Sequence, residues 1–375
     1  MKKYFFKNIK EHICLFFIIS FSLINIKKGY LLNKSYTNYI NKQIMWIFIS
    51  VFLFTVINKI QFKKIFKLKY IFYLFNIFLL IYVLLFSKSI NGVKAWINIL
   101  GFSFQPSELI KITYPLATIK LFLKKSYILP TILFVIPFIL IILEPDTGNA
   151  ILLFIIYLYL LINNKNKKTI TVLIIFLFIL LSAFIIAFKY KPDIIIKMFN
   201  GKLYYRFERI INYKNNYQIN NALIGIGCAK ALPIPLNKII IYIPEGLTDF
   251  MFAFHICNNG IMLGILLVLI YFYFTTLILK KYFSTKNKFK HKLIGSFLTV
   301  FTIQEIYNIL MNIGLLPIMG IPLPFFSYGG SNIITYFIFY SLINKKISSI
   351  EDKDNNNYKN NYHMVQMDSY NLDKG

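Results

Sequence analysis

Two carboxylates stand four residues apart in "IPEGLTDFMFAFH", residues 243 to 255: Glu245 and Asp249. The chain holds 42 Lys and Arg but only 14 Asp and Glu, and directly behind this pair an apolar run extends from Phe250 to Leu279. A carboxylate at the boundary between water and lipid can take the proton of a hydroxyl as a bond forms to its oxygen. The plainer alternative is structural. Pro244 and the two acids read as a turn into a helix, and Thr248 or Asp249 could cap its first free N–H groups.

The other acids favour chemistry. Leaving aside Glu11 and the five acids of the C-terminal tail, the rest are Glu108, Glu144, Asp146, Asp193, Glu208, Glu245, Asp249 and Glu305. All but Glu305 fall in loops on one side of the chain's apolar runs, or at the run ends there. Carboxylates at membrane depth are costly and are usually paired or functional. Their clustering predicts one electrostatic site on the outer face. Asp193 and Glu208 read instead as loop acids answering nearby lysines. Glu108 and Lys111 are three residues apart, so a helix puts them on one face where they can pair. A lysine so close to lipid needs a negative partner, either Glu108 or a phosphorylated substrate.

The elements that must hold these residues follow from hydropathy. The chain is 57% hydrophobic and 18% aromatic, with a mean hydropathy of +0.61. Apolar runs lie near 11–27, 44–60, 70–87, 108–123, 127–143, 148–163, 169–188, 250–279, 293–316 and 329–344. Each is near the length that crosses a bilayer as a helix. None alternates with the period of a barrel strand. The expectation is an all-α, polytopic membrane protein of about ten transmembrane helices. One membrane domain covers 1–346, with a large outer loop at about 189–249 between the seventh and eighth spans. Residues 347–375 form a polar, flexible tail.

Lysines gather at the N-terminus and after the second, fourth, sixth and eighth runs, which puts both termini in the cytoplasm. The first loop, with Lys27, Lys28, Lys34 and Lys42, breaks this alternation. The net charge of +28 is spread through loops and does not read as a nucleic-acid surface. Cys14, Cys228 and Cys257 form no metal-ligand pattern, and His255 reads as a packed polar residue. No cofactor is indicated by a motif; a divalent cation near Asp146 or Asp249 stays an option.

Four blocks, "GVKAWINILGFSFQPSELIK" at 92–111, "EPDTGNA" at 144–150, "IPEGLTDFMFAF" at 243–254 and "LPIMGIPLPFFSYGGSN" at 316–332, together resemble the SEDS family (shape, elongation, division and sporulation). The resemblance covers roughly 10 to 345. Within the family, the short N-terminus and "MGIPLP" look more like the elongation branch (RodA) than the division branch (FtsW). The resemblance implies a peptidoglycan glycosyltransferase of the plasma membrane. Such an enzyme polymerises lipid II into glycan strands at the outer face, beside a class B penicillin-binding protein that cross-links them. Asp249 matches the family's essential aspartate, Glu108 and Lys111 its "PSE..K" residues, and Asp146 its "PD.G" acid. Ser327, Gly329, Gly330 and Ser331 match "SYGGS".

The chain departs from the family at Ala95, where an arginine usually precedes the tryptophan. It departs again at Cys257 and Asn258, where two glutamates are usual. Its Gly-rich stretch reads Gly225, Ile226, Gly227, Cys228, and the segment between Arg209 and Gln218 is short.

The chemistry expected is inverting glycosyl transfer. Asp249 serves as general base for the acceptor hydroxyl, which attacks the anomeric carbon of a polyprenyl-diphosphate donor. A diphosphate leaves without a general acid, unlike the leaving group in glycoside hydrolysis. Lys111, Arg206 and Arg209 are the cations expected to meet its developing charge. Gly329 and Gly330 offer either backbone donors to a phosphate or room for close helix packing. Two rival readings are a lipid II flippase and a non-catalytic scaffold that recruits a transpeptidase. The flippase would place its acids near the midplane.

Overall fold

Lipid offers no partner for backbone N–H and C=O groups, so apolar runs that enter it fold as helices. The computed structural model describes residues 8–32, 37–88, 94–99, 102–163, 213, 216–233 and 242–346. The expected span at 169–188, the tail from 347, and Asp193, Arg206, Glu208 and Arg209 lie outside the described residues.

In chain order the helices are α1 (Ile9–Leu32), α2 (Thr37–Lys59), the short α3 (Phe62–Lys67) and α4 (Lys69–Phe86). A hairpin of β1 (Ile97–Ile99) and β2 (Phe102–Phe104) follows, antiparallel, with Ile97 opposite Phe104. Then come α5 (Pro106–Leu123), α6 (Ile128–Leu143), α7 (Thr147–Ile162) and α8 (Tyr217–Gly227). The chain closes with α9 (Met251–Asn259), α10 (Ile261–Ser284), α11 (Lys288–Asn312) and α12 (Gly330–Asn344). Nine of the expected spans correspond to α1, α2, α4–α7 and α10–α12. Among the described residues, α1, α2, α4, α10 and α11 are each long and apolar enough to cross a bilayer by themselves. The fold is therefore that of an all-α, multi-pass membrane protein. The hairpin and α8 are additions that hydropathy did not reveal.

Burial sorts the helices into inner and outer. On α10 only Gly264, Leu267, Tyr271, Phe274 and Ile278 are buried, one stripe at helical spacing. Met262, Ile265, Leu269 and Phe272 face outward, as suits a lipid-contacting helix. On α5 nearly every side chain is buried, including Ser107, Glu108, Lys111, Thr113 and Thr118. It packs against α4, α6, α7, α11 and α12. Glu108 and Lys111 thus sit on the central helix.

The eighth expected span is not continuous. It breaks at Gly260, whose φ of +89° belongs to the left-handed region that glycine tolerates. A side chain there would also fall 2.7 Å from the Leu232 backbone. The segment after α8 closes the gap. Lys230 and Ala231 carbonyls accept from Ile261 and Met262 N–H at 2.9 and 3.2 Å, satisfying the first free donors of α10. Hydropathy sees only an unbroken apolar run.

Lys28, one of the lysines that broke the alternation, is buried on α1 and donates to the Asn258 carbonyl. It is a packing residue of the α1–α9 contact. His255 is likewise fully buried, with Nδ1 3.2 Å from Asn25 Oδ1 and 3.0 Å from Asn259 Nδ2. At the far end of the bundle, Glu11 pairs with Lys281 at 2.8 Å and accepts from Tyr340, joining α1, α10 and α12.

Candidate active site

Residues 244 to 250 form a turn that leads into α9. Glu245 has a φ of +52°. Its carbonyl accepts from the Thr248 and Phe250 N–H groups at 3.1 and 3.0 Å. Thr248 Oγ1 donates to Glu245 Oε2 at 2.7 Å. The N-cap of α9 is Phe250, and no side chain caps that helix. The capping alternative for Thr248 and Asp249 therefore does not hold.

What fixes Asp249 is its backbone. The Asp249 carbonyl accepts from Asn308 Nδ2 at 2.9 Å and from Asn312 Nδ2 at 3.0 Å. Asn312 Oδ1 in turn accepts from Ala253 N–H at 2.9 Å. Asn308 Nδ2 also reaches the Ile321 carbonyl at 2.8 Å, and one turn below, Gln304 Nε2 donates to the Pro322 carbonyl at 2.6 Å. Tyr307 donates to the Pro317 carbonyl at 2.8 Å, and Tyr271 to that of Pro324. A proline-rich loop has few N–H groups with which to pair itself. Here its carbonyls are taken up by side chains of α10 and α11. Gln304, Asn308 and Asn312 were not foreseen. Their signal was a carboxamide at every fourth position of an apolar span, where polar groups are costly unless satisfied.

The 316–329 loop runs between Asp249 and the start of α7. Gly320 has a φ of +63°, and a Cβ there would lie 3.8 Å from Asp249 Oδ2. At Gly148 a Cβ would fall 2.8 Å from Ile321 Cγ1 and 2.5 Å from the Met319 carbonyl oxygen. Tyr328 N–H donates to the Leu247 carbonyl at 2.9 Å, tying the loop to the acidic turn.

Asp146 is the N-cap of α7, its Oδ1 accepting from Asn149 N–H at 3.1 Å. Its Oδ2 accepts from Gln105 Nε2, Ser107 Oγ and Asn149 Nδ2 at 2.7, 2.7 and 2.9 Å. That carboxylate joins α5 to α7 and lies close enough to act on Asp249. Asp249 is partly exposed. Burial is the main cause that pushes its carboxyl up to about 7, and the negative Glu245 and Asp146 add to it. Glu144 is fully buried, its carboxyl oxygens have no hydrogen-bond partner among the described residues, and burial, then Asp146, pushes it up to about 9. Among the described residues no three His, Cys, Asp or Glu side chains converge on a metal position.

Glu108 and Lys111 pair as their spacing predicts, at 2.7 Å. Asn332 Nδ2 reaches Glu108 at 3.3 Å, and Gln304 Oε1 accepts from Lys111 Nζ at 3.3 Å and from Tyr336 at 2.6 Å. Both charged groups are enclosed, Lys111 completely. Lys111 thus meets the protein partner of its two expected ones, and the structure does not open it to a phosphate. Glu305, next to Gln304 on α11, accepts instead from Thr275 of α10 at 3.3 Å.

The "SYGGS" residues each make a defined contact. Ser327 Oγ accepts from Leu323 N–H at 2.9 Å and closes a turn. Ser331 Oγ accepts from Gln105 N–H at 2.7 Å, holding the start of α12 to the start of α5. Gly329 N–H donates to Gln43 Oε1 at 3.4 Å. A Cβ at Gly330 would fall within the Trp46 indole, so packing explains that glycine. Gly330→Ala should cost about 1–3 kcal/mol through overpacking. Trp46→Leu on that background should restore part of the loss, read as melting temperature in detergent. An alanine variant as stable as the parent would show that the α2–α12 contact yields.

Ala95 is fully buried beside an exposed Lys94. Cys257 belongs to a small apolar core with Ile219, Ile243, Leu247, Phe250 and Phe254.

A family model described as cell cycle protein, covering FtsW, RodA and SpoVE, matches residues 4–352. The chain is 31% identical over 365 residues to a probable peptidoglycan glycosyltransferase FtsW of Wigglesworthia glossinidia brevipalpis, covering 87% of this chain and 90% of that one. It is 27% identical over 325 residues to the peptidoglycan glycosyltransferase MrdB of Helicobacter pylori, covering 80% and 81%. Among solved structures it resembles the rod shape determining protein RodA of Thermus thermophilus. The TM-score is 0.62 at 18% identity, over 89% of this chain and 94% of that one. It also resembles a chain of a peptidoglycan synthase complex that coordinates polymerization and crosslinking. There the TM-score is 0.71 at 20% identity, over 88% and 95%.

Proposed function

The chain belongs to the FtsW, RodA and SpoVE family of cell cycle proteins, and from that footing we propose that it is a peptidoglycan glycosyltransferase that polymerises lipid II. Asp249 is its general base. The observation that carries this reading is how that carboxyl is placed. It is freed from helix capping, seated in a turn whose backbone is held from α11, and pushed up to about 7. A base is most effective when its pKa lies near the working pH. The acceptor hydroxyl gives its proton to Asp249 as it attacks the anomeric carbon. The C–O bond to the diphosphate breaks with the electron pair leaving on the phosphate oxygen. With Lys111 enclosed, the developing charge falls to Arg206 and Arg209. Gly320, without a side chain, leaves the acceptor room beside the carboxylate.

Both termini are assigned to the cytoplasm and this site to the outer face of the plasma membrane, on the lysine alternation. A class B penicillin-binding protein is the expected partner for cross-linking. "MGIPLP" supports a role in elongation; rounded cells on depletion would bear this out, and filaments would assign it to division. The direct test is the purified full-length protein with lipid II, alone and with its transpeptidase. Glycan ladders on a gel are expected, and their absence under both conditions would sink the reading.

The pH dependence follows from the same carboxyl. The base must be ionised, so kcat/KM should fall below an acid limb near pH 7. Glu245→Gln removes a negative neighbour, which eases ionisation of Asp249. The limb should then move to lower pH. A limb that stays in place, or moves up, would show that another group governs it.

A further inference from the structure

We infer that Asn308 and Asn312 of α11 are positioning residues for glycosyl transfer, holding the Asp249 turn and the 317–324 loop at one fixed separation. The inference rests on the polymerase reading above. Both carboxamides are fully buried. Asn308 Nδ2 bridges two carbonyls, that of Asp249 at 2.9 Å and that of Ile321 at 2.8 Å. The two chain segments it joins are the one that bears the base and the one that passes beside it at Gly320. Asn312 holds the Asp249 carbonyl at 3.0 Å and the Ala253 N–H at 2.9 Å, so it sets how the turn enters α9. The pair also brace each other, since Asn312 Nδ2 donates to the Asn308 carbonyl at 2.8 Å.

No hydrogen bond among the described residues reaches the Asp249 carboxylate itself. Its placement is therefore set through its own backbone, and that backbone is tied by these two side chains. Neither asparagine touches the carboxylate, so neither is a proton carrier. Their effect must come through geometry, and a misplacement of about 1 Å can cost on the order of 100-fold in rate. Substrate binding draws on other groups and should be spared.

The test uses the full-length protein, assayed with lipid II as Asn308→Ala and Asn312→Ala. Val300→Ala serves as a buried control on the same helix, with no role in the site. For both asparagine variants we expect kcat to fall about 10- to 100-fold with KM for lipid II within about twofold. The control should lose stability at most. If an alanine variant does not accumulate, serine replaces it, because its hydroxyl can bond within its own helix but cannot bridge both carbonyls. Variants that keep kcat per folded molecule would overturn the inference. So would variants whose activity falls only in proportion to folded protein. A wild-type protein that makes no glycan would instead overturn the polymerase reading, which separates the two failures.

Discussion

Asp249→Asn is expected to abolish glycan polymerisation and leave the protein folded in the membrane. The fold loses little because α11 holds the Asp249 carbonyl, which the substitution keeps. The side chain caps nothing, since Phe250 is the N-cap of α9. What disappears is the proton acceptor, and general-base catalysis contributes about 10²–10⁴-fold. The acceptor's alcohol is otherwise a poor nucleophile, so ladders should vanish from a gel assay.

Stability should move the other way. The folded-state pKa of this acid is raised to about 7. Between the ordinary carboxylate range and that value the native state therefore binds more protons than the unfolded one. Wild-type stability falls with rising pH across that window. Asp249→Asn lacks this slope and should melt at or above the wild-type temperature at pH 8. Near-normal ladders from the variant would remove Asp249 from the chemistry. A collapsed melting temperature would assign it a structural duty instead.

Lys111→Ala is expected to cost about 3–5 kcal/mol of stability, because it leaves the enclosed Glu108 carboxylate without its cation. Gln304 also loses the group that shares its Oε1 with Tyr336. A neutral replacement of similar volume, Glu108→Gln with Lys111→Met, removes both charges together and should recover most of the fold. Lys94→Ala, in an exposed loop, should change little. These variants separate two duties for the lysine. If Lys111→Ala melts like wild type but raises KM for lipid II, the lysine acts on the diphosphate and the enclosed pair opens during turnover. If the double replacement restores folding and activity, the pair is a staple between α5, α11 and α12.

Much of this was legible in the residues, for physical reasons that differ from case to case. Long apolar runs must be helices in lipid, so nine spans were located, although α2 begins at Thr37 rather than near 44 and α10 at Ile261 rather than at 250. Glu108 and Lys111 could be paired from their spacing, since that distance fixes a shared helix face. The break between α9 and α10 could not be seen. It depends on the backbone of Lys230–Leu232 packing against Gly260, a contact distant in sequence. Asp146 was read as a site acid. Its neighbours Gln105, Ser107 and Asn149 take up its oxygens, and only the meeting of α5 with α7 reveals that. The carboxamides of α11 are uncharged, so only the fold shows which carbonyls they hold.

Both sides of the site hang from one helix. Asn308 fastens the acidic turn and the proline loop to α11, and Gln304 fastens the loop again one turn lower. Mechanically this is a jaw cast in one piece. A tilt or slide of α11 carries both edges together, so such a motion shifts the opening without widening it.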